Sequence, residues 1–272
     1  MAVKFHTDTN RCIHCGICTQ VCPKGLIGQI NGIPVMTEEA SLRCNNCGQC
    51  VAYCPQGCAI QEFSKDFEMP ATFQFKEDKT KELLSFLQSR RSYRNYQSVP
   101  IDDQVLKQIL ETANYAPSGG NNRKIRWIVF KSPEKTKELT ELIATWFDTV
   151  ARHHPVYGKR YAIDSILERY RKGKDVIMRG APHIAFAVGP KDHVWGPVDT
   201  GIALAYFNLA CEAHDIGCCF AGYATKSAES EIVRNFLGLK DNETAWCAIC
   251  FGKKTLHAHR VPNRGPVPLT LF

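Results

Sequence analysis

Two runs of cysteines near the N-terminus constrain this chain more than any other feature. A pattern of four cysteines closed by a proline, C-x-x-C-x-x-C-x-x-x-C-P, begins at Cys12 and recurs 32 positions later at Cys44. The first run is Cys12, Cys15, Cys18, Cys22 and Pro23, and the second is Cys44, Cys47, Cys50, Cys54 and Pro55. The constant offset marks an internal duplication, so we expect the two halves to share one local structure.

The spacing within each run fits four thiolates around an iron–sulfur cube. Three closely spaced sulfurs converge on one cluster, and the last cysteine of the run ligates the other cluster. One 4Fe-4S cluster is therefore assigned to Cys12, Cys15, Cys18 and Cys54. The second is assigned to Cys22, Cys44, Cys47 and Cys50. Zinc is the alternative, but zinc sites use two separated ligand pairs rather than triplets. The stretch resembles the bacterial two-cluster ferredoxins.

The length of the chain leaves room for a second domain. At 272 residues it exceeds one such module by about 200 residues, which suffices for another core. We predict a ferredoxin domain at residues 1–64, a linker at 65–79 and a second domain at 80–272. No signal-peptide pattern precedes the cysteines, and no stretch approaches the ~20 apolar residues of a membrane span. We therefore expect a cytoplasmic protein with no membrane partner.

The excess behind the net charge of +7 lies after residue 64, since residues 1–64 carry four bases and four acids. A basic domain can hold phosphate or an acidic partner. The chain has no recognition module or dense basic tract for nucleic acid, so we expect none to bind.

Helix and strand signals after residue 80 alternate irregularly. Helical periodicity predicts helices at 81–91, after Asp102, and at 134–153, 162–172, 198–213 and 226–237. Runs of β-branched and aromatic residues predict strands at 125–131, 183–188, 217–220 and 244–251. Because strict βαβ alternation is missing, the fold class is α+β. In the cysteine-rich part, Asn31-Gly32 between isoleucines predicts a tight hairpin.

A basic motif, Arg90-Arg91-Ser92-Tyr93-Arg94, lies at the end of a predicted helix. Guanidinium groups suit phosphate oxygens, and a nearby hydroxyl adds a hydrogen bond. The alternative is that these cations simply complement a helix C-terminus. A turn-rich loop, Ala116-Pro117-Ser118-Gly119-Gly120-Asn121, follows about twenty residues later and precedes a strand. This order of motifs resembles the nitroreductase family of flavin enzymes over roughly residues 80–272.

The resemblance implies an FMN site and a nitroreductase-like α+β sandwich. The positions that would hold the FMN phosphate and ribityl chain are Arg90, Arg91, Ser92 and Arg94. Those that would meet the isoalloxazine ring are Pro117, Ser118, Gly119 and Asn121. Backbone N–H groups near the flavin N5 would come from Ala221 and Gly222. Arg264 matches a C-terminal basic residue that reaches the phosphate, for which Arg260 is a poorer candidate.

One segment departs from the family pattern. Family members often continue the loop with Gln-Pro-Trp, whereas this chain has Arg123-Lys124-Ile125, which leaves the ring-edge contact open. The resemblance also implies a homodimer with FMN at the subunit interface, each protomer contributing residues to both sites. The apolar helix at 198–213 is a candidate for that interface, and core packing is its alternative role.

The leading hypothesis joins these features into one redox enzyme. Two 4Fe-4S clusters would pass electrons from a ferredoxin-like or other donor to FMN, which would reduce a nitroaromatic, a quinone or an activated alkene. The sequence has no G-x-G-x-x-G loop, so we expect no dedicated dinucleotide domain. Relatives in the family bind NAD(P)H transiently, so NAD(P)H stays a possible donor. The alternative is a non-catalytic electron-transfer adaptor or redox sensor. No side chain is assigned to catalysis.

Overall fold

The structure, a computed structural model, describes residues 5–62 and 79–272. The chain divides into two compact units. Unit 1 comprises residues 1–75 with 120–122, and unit 2 comprises residues 76–119 with 123–272. The predicted linker at 65–79 lies outside the described residues except for Lys79. The linker and the boundaries drawn around it therefore stay predictions.

The internal duplication is visible in the secondary structure of unit 1. The elements are β1 (Phe5–Thr7), α1 (Ile17–Gln20), β2 (Gly28–Ile30), β3 (Ile33–Val35), α2 (Glu38–Leu42), α3 (Gln49–Ala52) and β4 (Ala59–Gln61). Helices α1 and α3 are related by the same 32-residue offset as the cysteines. Each follows a glycine with positive φ, 71° at Gly16 and 73° at Gly48. The two halves therefore repeat in backbone conformation as well as in sequence.

Two antiparallel strand pairs frame unit 1. β1 pairs with β4, and β2 pairs with β3. The β2–β3 turn places Asn31 at φ 52° and Gly32 at φ 78°, as a two-residue hairpin turn of the predicted kind requires. The hairpin prediction is confirmed.

Unit 1 has a small apolar core in which cysteines take part. Phe5, Ile27, Val51 and Ala59 pack together with the buried thiols of the two short helices, Cys18 and Cys50. A module of this size buries too little apolar surface to be stable by that means alone, and such domains rely on metals or disulfides. We therefore expect the cysteine ligands to contribute to its folding.

Unit 2 contains the longer helices and strands. Its helices are α4 (Thr80–Ser89), α5 (Asp103–Ala113), α6 (Pro133–His153), α7 (Pro155–Arg160), α8 (Ile163–Arg171), α9 (Gly196–Ala213), α10 (Gly222–Ser227) and α11 (Glu231–Leu237). Its strands are β5 (Arg126–Phe130), β6 (His183–Pro190), β7 (Ile216–Phe220) and β8 (Glu243–Lys253). They form an antiparallel sheet in the order β5-β6-β8-β7.

Helices cover both faces of this sheet, which confirms the α+β sandwich. On one face α5 and α9 contribute Ile109, Leu204 and Phe207 to an apolar cluster. On the other face α6 and α8 contribute residues such as Ile143 and Ile163 to a second cluster. Strand β6 lies between the two clusters and is buried along nearly its whole length, as its continuous apolar sequence predicts.

Helices α5 and α6 begin at side-chain caps. Asp102 Oδ1 accepts a hydrogen bond from Gln104 N at 2.8 Å, and Ser132 Oγ accepts one from Lys135 N at 3.2 Å. Each cap satisfies a backbone N–H that has no partner within the helix. The predicted N-cap at Asp102 is confirmed.

The predicted helix at 226–237 is wrong as a single element. The structure ends α10 at Ser227 and begins α11 at Glu231. Ser227 Oγ donates to Ala224 O at 2.9 Å, and Ser230 Oγ donates to Ser227 O at 2.6 Å. Serine hydroxyls compete with helical hydrogen bonding in this way. The helix is therefore interrupted between Ser227 and Glu231, although the apolar periodicity of the sequence continues.

Helix α9 leaves part of its apolar surface exposed. Val198 and Tyr206 are 51% and 38% exposed, whereas Leu204 and Phe207 are fully buried. The helix is therefore core on one side and solvent-facing on the other within its own chain. Among the described residues, no helix combines the length and the apolar character that crossing a membrane requires.

Acid is expected to destabilise unit 2 through His183. Its buried ring accepts a hydrogen bond from Ile101 N at Nε2 (2.9 Å) and lies 3.3 Å from Phe130 O through Nδ1. Burial lowers the pKa of His183 below its usual value. The unfolded chain then binds the proton first, so stability is complete above pH about 6.5 and falls by up to about 1.4 kcal/mol per pH unit below it.

Urea unfolding at pH 5.0 and 7.5 checks this expectation. All four tryptophans lie in unit 2, so their fluorescence follows that unit. His183→Gln should flatten the pH dependence, while His259→Gln, at an exposed position, should leave it intact. An equal acid slope in all three proteins would contradict the assignment to His183.

Candidate functional site

Unit 1 contains two cavities, each lined by four of the eight motif cysteines. The first cavity is lined by Cys12, Cys15, Cys18 and Cys54, together with Cys58. The second is lined by Cys22, Cys44, Cys47 and Cys50. Each set combines the first three cysteines of one run with the last cysteine of the other. The structure thus brings together the residues that the sequence assigns to each cluster.

Backbone N–H groups point at the sulfur that closes each set. Leu26 N lies 3.3 Å from Cys22 Sγ, and Cys58 N lies 3.3 Å from Cys54 Sγ. Such donors stabilise a thiolate and tune the reduction potential of an attached cluster. The donor set, four thiols of which one accepts a backbone N–H, fits a 4Fe-4S cube in each cavity.

In unit 2, the basic motif runs beside strand β7. Ser92 forms an isolated parallel bridge with Cys218, and Tyr93 N donates to Cys218 O at 2.8 Å. Gly217 allows this approach, because a Cβ there would lie 2.6 Å from that of Tyr93. The buried Lys254 Nζ stands 4.4 Å from the Tyr93 ring centre, a cation–π contact. The motif is therefore held against the sheet rather than left as a free helix end.

The arginines of the motif differ in their surroundings. Arg90 directly follows α4 as its C-cap. Arg91 Nε donates to Ser89 O at 3.0 Å, and its Nη2 contacts Gln88 O, so this guanidinium caps the helix C-terminus. Arg94 Nη1 donates to Ser92 O at 3.1 Å. Arg91 thus serves the helix-end role that the sequence left open, whereas Arg94 lines a cavity.

That cavity, of about 530 Å³, lies beside the end of β7. Its volume is in the range of small-molecule pockets. Of the residues predicted to contact FMN, it is lined by Arg94, Ala221 and Gly222. Aromatic side chains from Phe147, Tyr161, Phe220 and Tyr223 also line it. A cationic group, flat apolar walls and a glycine at one edge suit a planar ring system with a charged tail.

The two predicted backbone donors are not equivalent. Ala221 N already donates to Ala248 O at 2.8 Å. Gly222 is the first residue of α10, a position whose N–H has no acceptor within the helix. A Cβ at Gly222 would meet nothing within 4 Å. Gly222 therefore carries the N–H group available to a ligand in the cavity.

The predicted ring loop does not line this cavity. Pro117 is exposed, and Ser118 Oγ accepts from Arg123 N at 3.0 Å. Asn121 falls within unit 1, where its Nδ2 donates to Asn45 O at 2.8 Å. Arg264 is exposed in a C-terminal segment without regular secondary structure. One chain therefore brings together Arg94, Ala221 and Gly222 but places the residues of the ring loop elsewhere.

Two polar residues that the sequence did not single out hold the ring loop in place. Asp199, buried in the first turn of α9, accepts from Gly119 N through Oδ1 at 2.9 Å. Its Oδ2 lies 2.8 Å from Nε2 of the equally buried His193. Next to them, a Cβ on Gly119 would lie 2.7 Å from Trp195. Six residues separate the pair, a spacing without a motif, so only the fold identifies it.

Asp199→Asn is expected to destabilise unit 2 by about 2–4 kcal/mol, because it removes the charge of a buried hydrogen-bonded pair. The asparagine keeps the size of the side chain but replaces one carboxylate oxygen with a neutral donor nitrogen. Urea unfolding followed by tryptophan fluorescence measures the loss. Asp192→Asn, at an exposed position of the same segment, is the matched control. Equal stability of both variants would contradict a structural role for the pair.

Three further cysteines of the sheet, Cys218, Cys247 and Cys250, belong to neither cysteine run. Burial raises the pKa of Cys218 and of Cys250 well above the usual value, so both stay protonated. Cys250 packs in the α6 cluster and Cys247 against the α9 cluster, on opposite faces of β8. We assign no chemistry to these three residues.

Comparison with known proteins identifies both parts of the chain. The nitroreductase family matches residues 87–253, and the 4Fe-4S dicluster domain matches residues 11–59. The first match covers more than half of the chain, so this protein belongs to the nitroreductase family. It is an oxidoreductase of nitroreductase type with an N-terminal 4Fe-4S domain. Both predicted resemblances are confirmed, and the zinc alternative is set aside.

Individual relatives agree with this assignment. An NADH dehydrogenase of Thermus thermophilus is 28% identical over 214 residues, which covers 71% of this chain and 96% of the relative. A nitroreductase from Desulfitobacterium hafniense with bound FMN superposes with a TM-score of 0.57 at 22% identity, covering 70% of this chain and 98% of its own. An FMN-dependent nitroreductase from Mycobacterium smegmatis in complex with NADPH gives 0.54 at 23% identity, covering 71% and 98%. The two structural matches support the fold.

Proposed function

We propose that this protein passes electrons through two 4Fe-4S clusters to FMN and reduces a small organic acceptor, such as a nitroaromatic, a quinone or an activated alkene. The observation that carries the proposal is the coexistence of two four-thiol cavities in unit 1 and the Arg94 cavity in unit 2. When bound, the clusters supply one-electron transfer and FMN supplies transfer of one or two electrons.

The residues of the chain bind and orient these groups. The eight motif cysteines supply the thiolates, and the N–H groups of Leu26 and Cys58 stabilise those of Cys22 and Cys54. The positive charge of Arg94 attracts the anionic parts of FMN, with Arg90, Arg91, Ser92 and Arg264 as further predicted contacts. Gly222 offers its N–H at the edge of the cavity. A proton for the acceptor comes from solvent, so no side-chain acid is required.

We infer a homodimer in which each FMN site takes residues from both protomers. The support is that the cavity with Arg94, Ala221 and Gly222 does not include residues 117–121. The predicted contacts of Pro117, Ser118, Gly119 and Asn121 would then be made to the FMN of the partner. The exposed apolar side of α9, with Val198 and Tyr206, is the proposed interface.

The electron donor is proposed to be a ferredoxin-like protein or another one-electron reductant that reduces the clusters. NAD(P)H is a second possible donor, supported by the name of the Thermus relative and by the NADPH complex of the Mycobacterium neighbour. Rapid mixing of the oxidised protein with each donor separates the two routes. A one-electron donor should bleach cluster absorbance before flavin absorbance, whereas NAD(P)H should bleach the flavin first.

The test of the proposed function begins with protein purified without oxygen. About eight irons and one FMN per chain are expected, together with the molar mass of a dimer by light scattering. Reduced protein should then reoxidise through many turnovers when a nitroaromatic or quinone is added. An adaptor or sensor would instead transfer one set of electrons to a protein partner and show no turnover with small acceptors. That result would refute the proposed enzymatic function.

A further inference from the structure

The two cluster cavities differ at one buried position that the duplication makes equivalent. Adding the 32-residue offset to Leu26 gives Cys58. Both residues place their backbone N–H 3.3 Å from the closing cysteine of a run, Cys22 and Cys54 respectively. Both side chains are buried, with exposures of 6% each. The backbone environment therefore repeats, and the side chain is what distinguishes the two cavities here.

At Cys58 that side chain carries a thiol beside the ligand set. Cys58 Sγ lies 3.3 Å from Cys54 Sγ, and Cys58 lines the same cavity as Cys12, Cys15, Cys18 and Cys54. Four thiolates complete a 4Fe-4S cluster, so Cys58 is a fifth sulfur and keeps its proton. The isobutyl group of Leu26 in the second cavity has no proton to donate.

We propose that the Cys58 thiol donates an S–H···S hydrogen bond to the Cys54 thiolate and thereby raises the reduction potential of the first cluster. Cys58 is a positioning and tuning residue, not a ligand. A hydrogen bond to a ligand sulfur withdraws negative charge, and the reduced cluster, which carries one more electron, gains the most from it. The inference rests on the two-cluster part of the proposed function.

The consequence is that one side chain tunes one member of the duplicated pair. The second cavity has a side-chain donor of a different kind, since Gln61 Nε2 lies 3.8 Å from Cys44 Sγ. The Cys58 thiol therefore shifts the potential of the first cluster, held by Cys12, Cys15, Cys18 and Cys54, independently of the second.

The test exchanges the two side chains. Cys58→Leu gives the first cavity the residue of the second, and Leu26→Cys does the reverse. EPR-monitored redox titration measures both clusters in each holoprotein. Cys58→Leu should lower the reduced-to-oxidised ratio of one cluster about tenfold at fixed potential, a shift of about 59 mV for one electron. Leu26→Cys should raise the potential of the other cluster, and the unaltered cluster in each variant should keep its value.

Two further variants keep the test decisive. Cys58→Ser retains a donor and should stay closer to the parent protein than Cys58→Ala, which removes the donor with little change in volume. Iron content is measured alongside and should remain at about eight per chain in every variant. Loss of about four irons in Cys58→Ala would make Cys58 a ligand and overturn the proposal.

Failure of this inference is distinct from failure of the proposed function. If the parent protein holds fewer than two clusters, both fall together. If the parent holds two clusters and neither Cys58→Leu nor Cys58→Ala shifts a potential, the tuning role alone is refuted and the electron-transfer function stands.

Discussion

Replacing Arg94 with alanine is expected to weaken FMN binding by about 10- to 100-fold, because one charge-assisted hydrogen bond contributes about 1.5–3 kcal/mol. Arg94 is the arginine of the basic motif that lines the cavity in unit 2, beside Ala221 and Gly222. It also donates one hydrogen bond to the backbone of Ser92. Loss of the guanidinium therefore removes ligand contacts with little effect on the fold.

The other arginines of the chain provide graded comparisons. Arg91 is engaged with the end of α4, so Arg91→Ala should release less FMN than Arg94→Ala and should also destabilise that helix end. Arg169→Ala, on the exposed surface of α8, removes the same charge away from the cavity. It should leave FMN affinity unchanged. This comparison separates the effect of a direct contact between Arg94 and FMN from that of long-range attraction by the net charge of the protein.

Fluorescence titration of the flavin-stripped protein with FMN measures each dissociation constant, and cluster absorbance serves as an internal reference. The clusters should be retained in all three variants, because their ligands lie in unit 1. Unchanged FMN affinity in Arg94→Ala would mean that this cavity is not the flavin site. An equal loss of FMN affinity in Arg169→Ala would mean that net charge alone, and not a contact with Arg94, explains the effect.

The sequence predicts best those features that depend on a few neighbouring residues. Cysteine spacing, the Asn31-Gly32 turn and the Asp102 cap are encoded within a few residues, and the structure has the hairpin and the cap where they are expected. The break between α10 and α11 was missed because apolar periodicity runs through it while two serine hydroxyls end the helix. Periodicity reports which face is buried, not whether the backbone is continuous.

The candidate site was predictable only in part. The arginine motif and the cysteine runs are contiguous in sequence, so their residue types can be read directly. The pairing of His193 with Asp199, and the contact of Asp199 with Gly119 across 80 residues, arise from tertiary packing and have no local signal. The same limit applies to α9, whose largely apolar sequence does not reveal that Val198 and Tyr206 face outward.

Replacing Cys18 with alanine is expected to remove the first cluster and leave about four irons per chain. Cys18 is buried in α1 and lines the first cavity together with Cys12, Cys15 and Cys54. With three thiolates of the set left, the cube lacks one iron ligand. The second cavity keeps its own four cysteines, so the loss should be confined to one cluster.

Electron transfer should fail with the cluster. FMN reduction by a one-electron donor is expected to slow at least about tenfold, since even outer-shell partners of a metal centre are worth about 10- to 100-fold in activity. FMN content should not change, because the predicted FMN contacts other than Asn121 lie in unit 2. Stopped-flow absorbance of cluster and flavin, with iron and sulfide analysis, measures both effects.

Cys211→Ala is the matched control, a buried thiol of α9 in unit 2 that belongs to neither cysteine run and does not line the proposed flavin cavity. It should keep about eight irons and the parent rate of flavin reduction. Retention of about eight irons by Cys18→Ala would contradict the ligand assignment. Loss of one cluster with an unchanged rate would place that cluster off the path to FMN, and the second cluster, held by Cys22, Cys44, Cys47 and Cys50, would then have to deliver the electrons by itself.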